Sequence, residues 1–145
     1  GVVLVRSRTC KETAQGSKQV ANLIELLCGD VIGVVAALLG DCAGVYDRAA
    51  LIALPAEMRK RYVQTVYGAL PSGCRGLLIT LEYPQAEKAG PPFSVEQPEV
   101  EALFAAPWRQ ELLERRDILD QEPRFREEGL SALATAVYHL TNGHL

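Results

Sequence analysis

Apolar positions along the chain fall into short blocks separated by glycine, proline and charged residues. Leu23-Ile24-Glu25-Leu26-Leu27-Cys28 is a brief apolar run stopped by Gly29-Asp30, which predicts a buried strand ending in a turn. Val31 to Leu39 admits a helix or a loop and closes at Gly40-Asp41. Cys42 to Tyr46 predicts a second strand, with Asp47-Arg48 at its C-terminal end. Pro55 suits the first position of a helix, and Glu57 in the first turn complements the helix dipole. Met58, Tyr62, Val66 and Leu70 then recur every four positions, predicting one buried face with Arg59, Lys60 and Gln64 turned to water. Pro71-Ser72-Gly73 ends that helix, and Gly76 to Leu81 predicts a strand apolar on both faces, as central parallel strands are.

Three prolines make the stretch Tyr83 to Phe93 an irregular loop. Ser94 with Gln97 has the spacing of a capping box, and Val100, Leu103 and Phe104 give the helix after it an apolar side. Trp108 to Leu119 predicts a strand running into the charged segment Glu114-Arg115-Arg116-Asp117, most simply a solvated surface. Ser131 to Leu140 admits strand or helix, with Thr135, Val137 and Tyr138 favouring strand. Strand, helix, strand, helix, strand, strand places the chain in the α/β class with a largely parallel sheet. Ligands of such sheets sit beyond the carboxyl ends of the strands, where Asp30, Asp47-Arg48 and Glu82-Tyr83 all fall.

Length changes the picture little: 145 residues predict a single domain over 1–145. With 48% hydrophobic and 23% charged residues, the composition is that of a globular protein. The longest apolar stretch, Val31 to Leu39, falls well short of the roughly 20 residues that span a bilayer. No basic region precedes Val2-Val3-Leu4-Val5, so no secretory signal is read and a cytoplasmic location is expected. A net charge of −3 argues against a nucleic-acid partner. Cys10, Cys28, Cys42 and Cys74 are too widely spaced for a structural zinc site, and His139 and His144 lie at the C-terminus. We therefore expect no metal and read the cysteines as buried free thiols.

Three passages go beyond a generic α/β pattern. They are Leu26-Leu27-Cys28-Gly29-Asp30, the run Val45-Tyr46-Asp47-Arg48-Ala49-Ala50-Leu51-Ile52-Ala53-Leu54-Pro55, and Leu78-Ile79-Thr80-Leu81-Glu82-Tyr83 followed by Gly90-Pro91-Pro92-Phe93-Ser94-Val95. In this order they resemble bacterial thiopurine S-methyltransferases, and Leu112-Leu113-Glu114-Arg115-Arg116-Asp117 with Glu122-Pro123-Arg124-Phe125-Arg126 continues the likeness. The resemblance implies the C-terminal part of a Rossmann-like class I methyltransferase sheet, mostly parallel, with a terminal antiparallel strand second from the edge. It implies S-adenosyl-L-methionine as cofactor and methyl transfer to the sulfur of thiopurines or similar aromatic thiols. Carried over by position, it puts Arg48, Asp47, Gly29 and Asp30 on the cofactor side. Pro91, Pro92 and Phe93 border the substrate, with Arg124 or Arg126 as a second substrate contact. No catalytic base is expected, because a thiopurine sulfur loses its proton readily and alignment supplies most of the acceleration.

The family's opening strand, its glycine cofactor loop and the acidic residue that holds the ribose have no counterpart here. The strand ending at Tyr46 is therefore expected to expose an edge, covered by Val2 to Val5 or by a second chain. The alternative to an enzyme is a non-catalytic degenerate methyltransferase module that acts by self-association or partner binding. Duller readings stand beside each site residue: Asp47 caps the turn after its strand, Asp30 is an ordinary turn residue, Pro91 and Pro92 stiffen a loop, and Arg124 and Arg126 are solvated.

Overall fold

A computed structural model describes residues 2–14, 17–33 and 36–143, so His144 lies outside the described residues. The chain divides into two compact units, Gly1–Val34 and Val35–Leu145. In the first, β1 (Val2–Ala14) and β2 (Ser17–Gly29) form an antiparallel pair in which Val2 faces Gly29 and Val5 faces Leu26. The predicted strand at Leu23 to Cys28 is thus the end of a longer one. Val2 to Val5, one of the two candidates expected to cover the strand ending at Tyr46, pair with the end of β2 within the first unit.

The second unit begins with the short helix α1 (Ala36–Leu39) and is organised on four strands: β3 (Gly44–Asp47), β4 (Arg75–Glu82), β5 (Trp108–Asp117) and β6 (Ala134–Asn142). Their spatial order is β3-β4-β6-β5. β3 and β4 are parallel, while β6 runs antiparallel to both β4 and β5. Three strands therefore share one direction, and the last strand of the chain runs against them, second from the edge, as expected. Close contact between β3 and β4 depends on Gly76, where a Cβ would meet Val45 Cγ1 at 2.6 Å.

Helices α2 (Ala56–Thr65) and α3 (Gln97–Leu103) bury one face of this sheet. Tyr62, Val63, Val66, Tyr67, Val100, Phe104 and Trp108 are all buried, as are Leu78 and Tyr138 on the sheet. Edge-to-face contacts join Tyr67 to Phe104 at 4.8 Å and to Trp108 at 5.5 Å, an arrangement that adds to plain burial. A smaller cluster of Tyr83, Leu130 and Leu133 closes the far end with help from Phe125, which belongs to α4 (Pro123–Glu127).

Two local expectations are corrected. Met58 is 38% exposed and Arg59 only 5%, so the buried face of α2 is rotated from the four-residue repeat. Arg59 is drawn inward by Glu99, forty residues away in sequence, which no helical periodicity reports. The capping box at Ser94 does not form either. Glu96 is the N-cap of α3, and Ser94 Oγ instead accepts a hydrogen bond from Tyr83 N at 2.9 Å.

Candidate functional site

β3 ends at Asp47, whose side chain points to the helix-covered face because alternate strand residues share a face. Its Oδ1 accepts hydrogen bonds from the backbone N–H of Ala50 at 3.1 Å and of Leu51 at 3.2 Å. Oδ2 accepts from the hydroxyls of Tyr62 at 3.0 Å and Tyr67 at 3.2 Å. Burial, and then the Asp47 carboxylate, push the pKa of both phenols well up, so they stay protonated as donors. Asp47 is thus an internal anchor for the turn 48–53, as its duller reading had it. Arg48, the next residue, faces water, and no hydrogen bond or ion pair engages its side chain among the described residues.

The loop after β4 returns to that turn. Phe93 N donates to Ile52 O at 2.7 Å, and Tyr83 Oη donates to Pro92 O at 2.6 Å. Gly90 has φ +86°, and a Cβ there would strike the Phe93 ring at 2.6 Å, so only glycine lets the loop fold this closely on its own phenylalanine. Over Phe93 lies the Arg59 guanidinium, 5.8 Å from the ring centroid. Arg59 also forks onto Glu99 at 2.7 and 3.1 Å and donates to Leu54 O at 2.7 Å. The turn after β3, which carries Arg48, and the loop that carries Pro92 and Phe93 therefore meet through Ile52 beyond the carboxyl ends of β3 and β4, with Pro91 exposed on the same loop.

The other predicted residues lie on other elements. Gly29 and Asp30 belong to the separate first unit, and Asp30 Oδ1 accepts from Ile32 N at 3.0 Å, an ordinary turn contact. Arg124 and Arg126 are exposed on α4 and paired with Glu128 and Asp120. That segment is nevertheless tied to the loop after β4: Lys88 pairs with Glu128, and the Glu87 carboxylate accepts from Ser131 N at 2.8 Å and Ser131 Oγ at 2.6 Å. Sequence reasoning missed Arg59, Glu99, Tyr62 and Tyr67 as builders of the site. No local pattern marks them, because each acts through a partner at least fifteen positions away.

A shallow hollow of about 350 Å³ lies elsewhere, lined by Glu82, Glu96, Gln97, Pro98, Glu101 and Arg115. Its one cation is already committed, Arg115 forking onto Glu82 at 2.7 and 3.1 Å. Burial, then the Glu82 carboxylate, push Tyr138 beside it up to about 12. Three carboxylates rim this open hollow, and it lies apart from the strand-end turn of Arg48 and the loop of Phe93, which form the candidate site.

The strand directions, three alike with β6 reversed and second from the edge, are consistent with the C-terminal part of a Rossmann-like class I methyltransferase sheet. The model of the family "Thiopurine S-methyltransferase" matches residues 5–143. A thiopurine S-methyltransferase of Xanthomonas axonopodis pv. citri is 65% identical over 128 residues, 88% of this chain and 59% of the relative. Thiopurine S-methyltransferases of Bordetella pertussis and Nitrosomonas eutropha are 57% and 55% identical, covering 89% and 90% of this chain and 59% of each relative. The chain belongs to the thiopurine S-methyltransferase family, and it spans 59% of the length of these relatives.

Proposed function

We propose that this chain carries the acceptor side of an S-adenosyl-L-methionine-dependent methyltransferase that moves a methyl group to the sulfur of a thiopurine or a similar aromatic thiol. The observation that carries the reading is the hydrogen bond from Phe93 N to Ile52 O, which seats an aromatic loop against the turn that presents Arg48.

Methyl transfer to sulfur is an in-line displacement, and its demand on the protein is alignment. Phe93, part-exposed and held in place by Gly90 and Arg59, offers a fixed aromatic contact to a flat heterocycle. Arg48 offers an uncommitted cation for charge-assisted hydrogen bonds to a thiolate or ring nitrogen. A cation there also favours the ionised sulfur, so the reaction does not depend on a strong base.

The residues assigned to the cofactor do not by themselves suit it. Asp47 has its carboxylate filled by four donors, and Asp30 Oδ1 is engaged in its own turn. Of the four, Arg48 alone presents a free group. The work of this chain is then to orient the acceptor.

Ligand-observed NMR with a thiopurine tests the reading. Arg48→Ala and Phe93→Ala should each weaken binding at least fivefold, with the circular dichroism spectrum unchanged. Binding indifferent to both substitutions would exclude this site.

A further inference from the structure

Two of the four cysteines lie side by side where the parallel strands begin. Cys42 is the second residue before β3 and Cys74 the residue before β4, 32 positions further along the chain. The ladder between these strands opens with Gly44 opposite Arg75, and Arg75 N donates to Ala43 O at 3.1 Å. The pairing therefore reaches back to Ala43 beside Cys74, with Cys42 the next residue. Neighbouring strands run roughly 4.8 Å apart, inside the roughly 4.4–6.8 Å that separates the Cα atoms of a disulfide. The sulfurs are also close enough to interact: burial, and then the charge of Cys42, push the Cys74 thiol up. In this structure both are thiols.

The two are held unequally. Cys74 is 1% exposed, and its backbone is fixed on both sides, N donating to Pro71 O at 3.1 Å and O accepting from Asn142 N at 2.9 Å. The turn before it closes at Gly73, whose φ is +84° and whose N donates to Asn142 O at 2.8 Å. Cys42 is part-exposed in the short connection between α1 and β3, outside any helix or strand. A buried, protonated thiol is inert toward oxidants, whereas a thiol that reaches solvent reacts through its thiolate. The pair thus combines an accessible sulfur that reacts first with a fixed one beside it that resolves.

We infer that Cys42 and Cys74 form a reversible disulfide in response to a hydroperoxide, a staple across the amino ends of β3 and β4. The Cys42 thiolate attacks one peroxide oxygen: an S–O bond forms, the O–O bond breaks, and the other oxygen leaves as water or an alcohol with the proton that Cys42 released. The Cys74 sulfur then displaces the hydroxyl from Cys42, so the S–S bond forms, the S–O bond breaks, and hydroxide leaves as water with the Cys74 proton. Each sulfur is oxidised by one electron, and the peroxide is reduced by two. A small thiol such as glutathione reverses the step by exchange. The ring so closed contains β3, the turn that carries Arg48 and all of α2, so oxidation restrains the segment that Asp47 anchors.

Peptide mapping of the full chain tests the inference. The reduced protein is treated with one equivalent of hydrogen peroxide, capped with N-ethylmaleimide and digested with trypsin without reduction. The expected product joins the peptides 19–48 and 62–75, with fragment ions placing the bond at Cys42 and not at Cys28. It should persist in Cys28→Ser, vanish in Cys42→Ser and revert with dithiothreitol. It should form at least tenfold faster in the folded chain than in urea, where nothing holds the two sulfurs together, and it should raise the melting midpoint by about 5–10 °C through loop closure. Absence of this link, a bond from Cys74 to Cys10 or Cys28 in its place, formation no faster in the folded chain than in urea, or a midpoint that does not rise would each overturn the inference. The readout needs neither cofactor nor thiopurine, and the staple lies at the strand ends opposite to Arg48 and Phe93, so it stands or falls independently of the proposed activity.

Discussion

Asp47→Ala is expected to cost about 3–5 kcal/mol of stability, a large part of the ~5–15 kcal/mol that holds a typical domain folded. The substitution removes one acceptor and strands four donors: two backbone N–H groups and two phenols. Ala50 is half-buried and can turn to water, but Leu51 and Tyr67 are fully buried and Tyr62 is 4% exposed. Each buried donor left without a partner costs about 1–3 kcal/mol. The total falls below the simple sum because a water entering the polar gap recovers some of the bonds, and because groups sharing one acceptor do not add. Asp47→Asn retains Oδ1 for the two backbone donors but faces both hydroxyls with an NH₂, so about 1–2 kcal/mol is expected.

Urea unfolding followed by fluorescence of Trp108 reads this directly, since that indole is buried 5.5 Å from the Tyr67 ring. The control is a cycle with Tyr62→Phe, in which Asp47→Ala should cost about 1 kcal/mol less than in the parent because one stranded hydroxyl has gone. An Asp47→Ala cost below about 1 kcal/mol, or perfect additivity with Tyr62→Phe, would refute the assignment of Asp47 as the anchor of the turn.

Arg59→Met should cost about 2–3 kcal/mol in the same assay, less than a fully buried pair because Glu99 is one-third exposed, and Arg59→Lys should restore less than half, since an ammonium cannot reproduce the fork onto Glu99. Gly90→Ala should cost about 1–2 kcal/mol by thermal melting, from a positive φ and a collision with Phe93. Tyr62, Tyr67 and Tyr138 all have raised phenol pKa values, so the folded form holds protons that the unfolded chain releases near the ordinary value. Stability from these groups is complete below about pH 10 and falls as the pH rises through the folded values, and absorbance titration of the phenolates should show a late, unfolding-linked phase. Glu87 is held below the usual carboxylate range by Ser131, so its contribution is present above that range and lost as the pH falls; Ser131→Ala should move its NMR titration up toward the ordinary value.

Much of the fold was legible because strands announce themselves over a few residues. The apolar blocks at Val45-Tyr46, Gly76 to Leu81, Trp108 onward and Thr135 to Leu140 all became strands. Charge patterning likewise marked the end of β5 as surface. What escaped notice was every polar group committed to a distant partner. Arg59 looked solvated until Glu99 met it, Ser94 looked like a helix cap until Tyr83 N claimed its hydroxyl, and Met58 gave up the buried face that Arg59 took. Such pairings follow from the tertiary arrangement, and a window of ten or fifteen residues contains no trace of them.

Asp47 and Arg48 show how far this reaches into function. Read along the chain, they form one charged pair at a strand end, and both look like ligand contacts. The fold separates them: Asp47 points to the helices, where two tyrosines and a turn fill its carboxylate, whereas Arg48, just past the end of β3, is exposed on the turn whose Ile52 O accepts from Phe93 N. Their variants should therefore part company. Loss of Asp47 should appear as instability, with thiol binding reduced only as the turn unfolds, whereas loss of Arg48 should leave unfolding within about 0.5 kcal/mol of the parent and act on binding alone. If the two substitutions instead behave alike in both assays, then the pair works as a unit after all, and the division of labour between anchor and ligand contact drawn from the geometry is wrong.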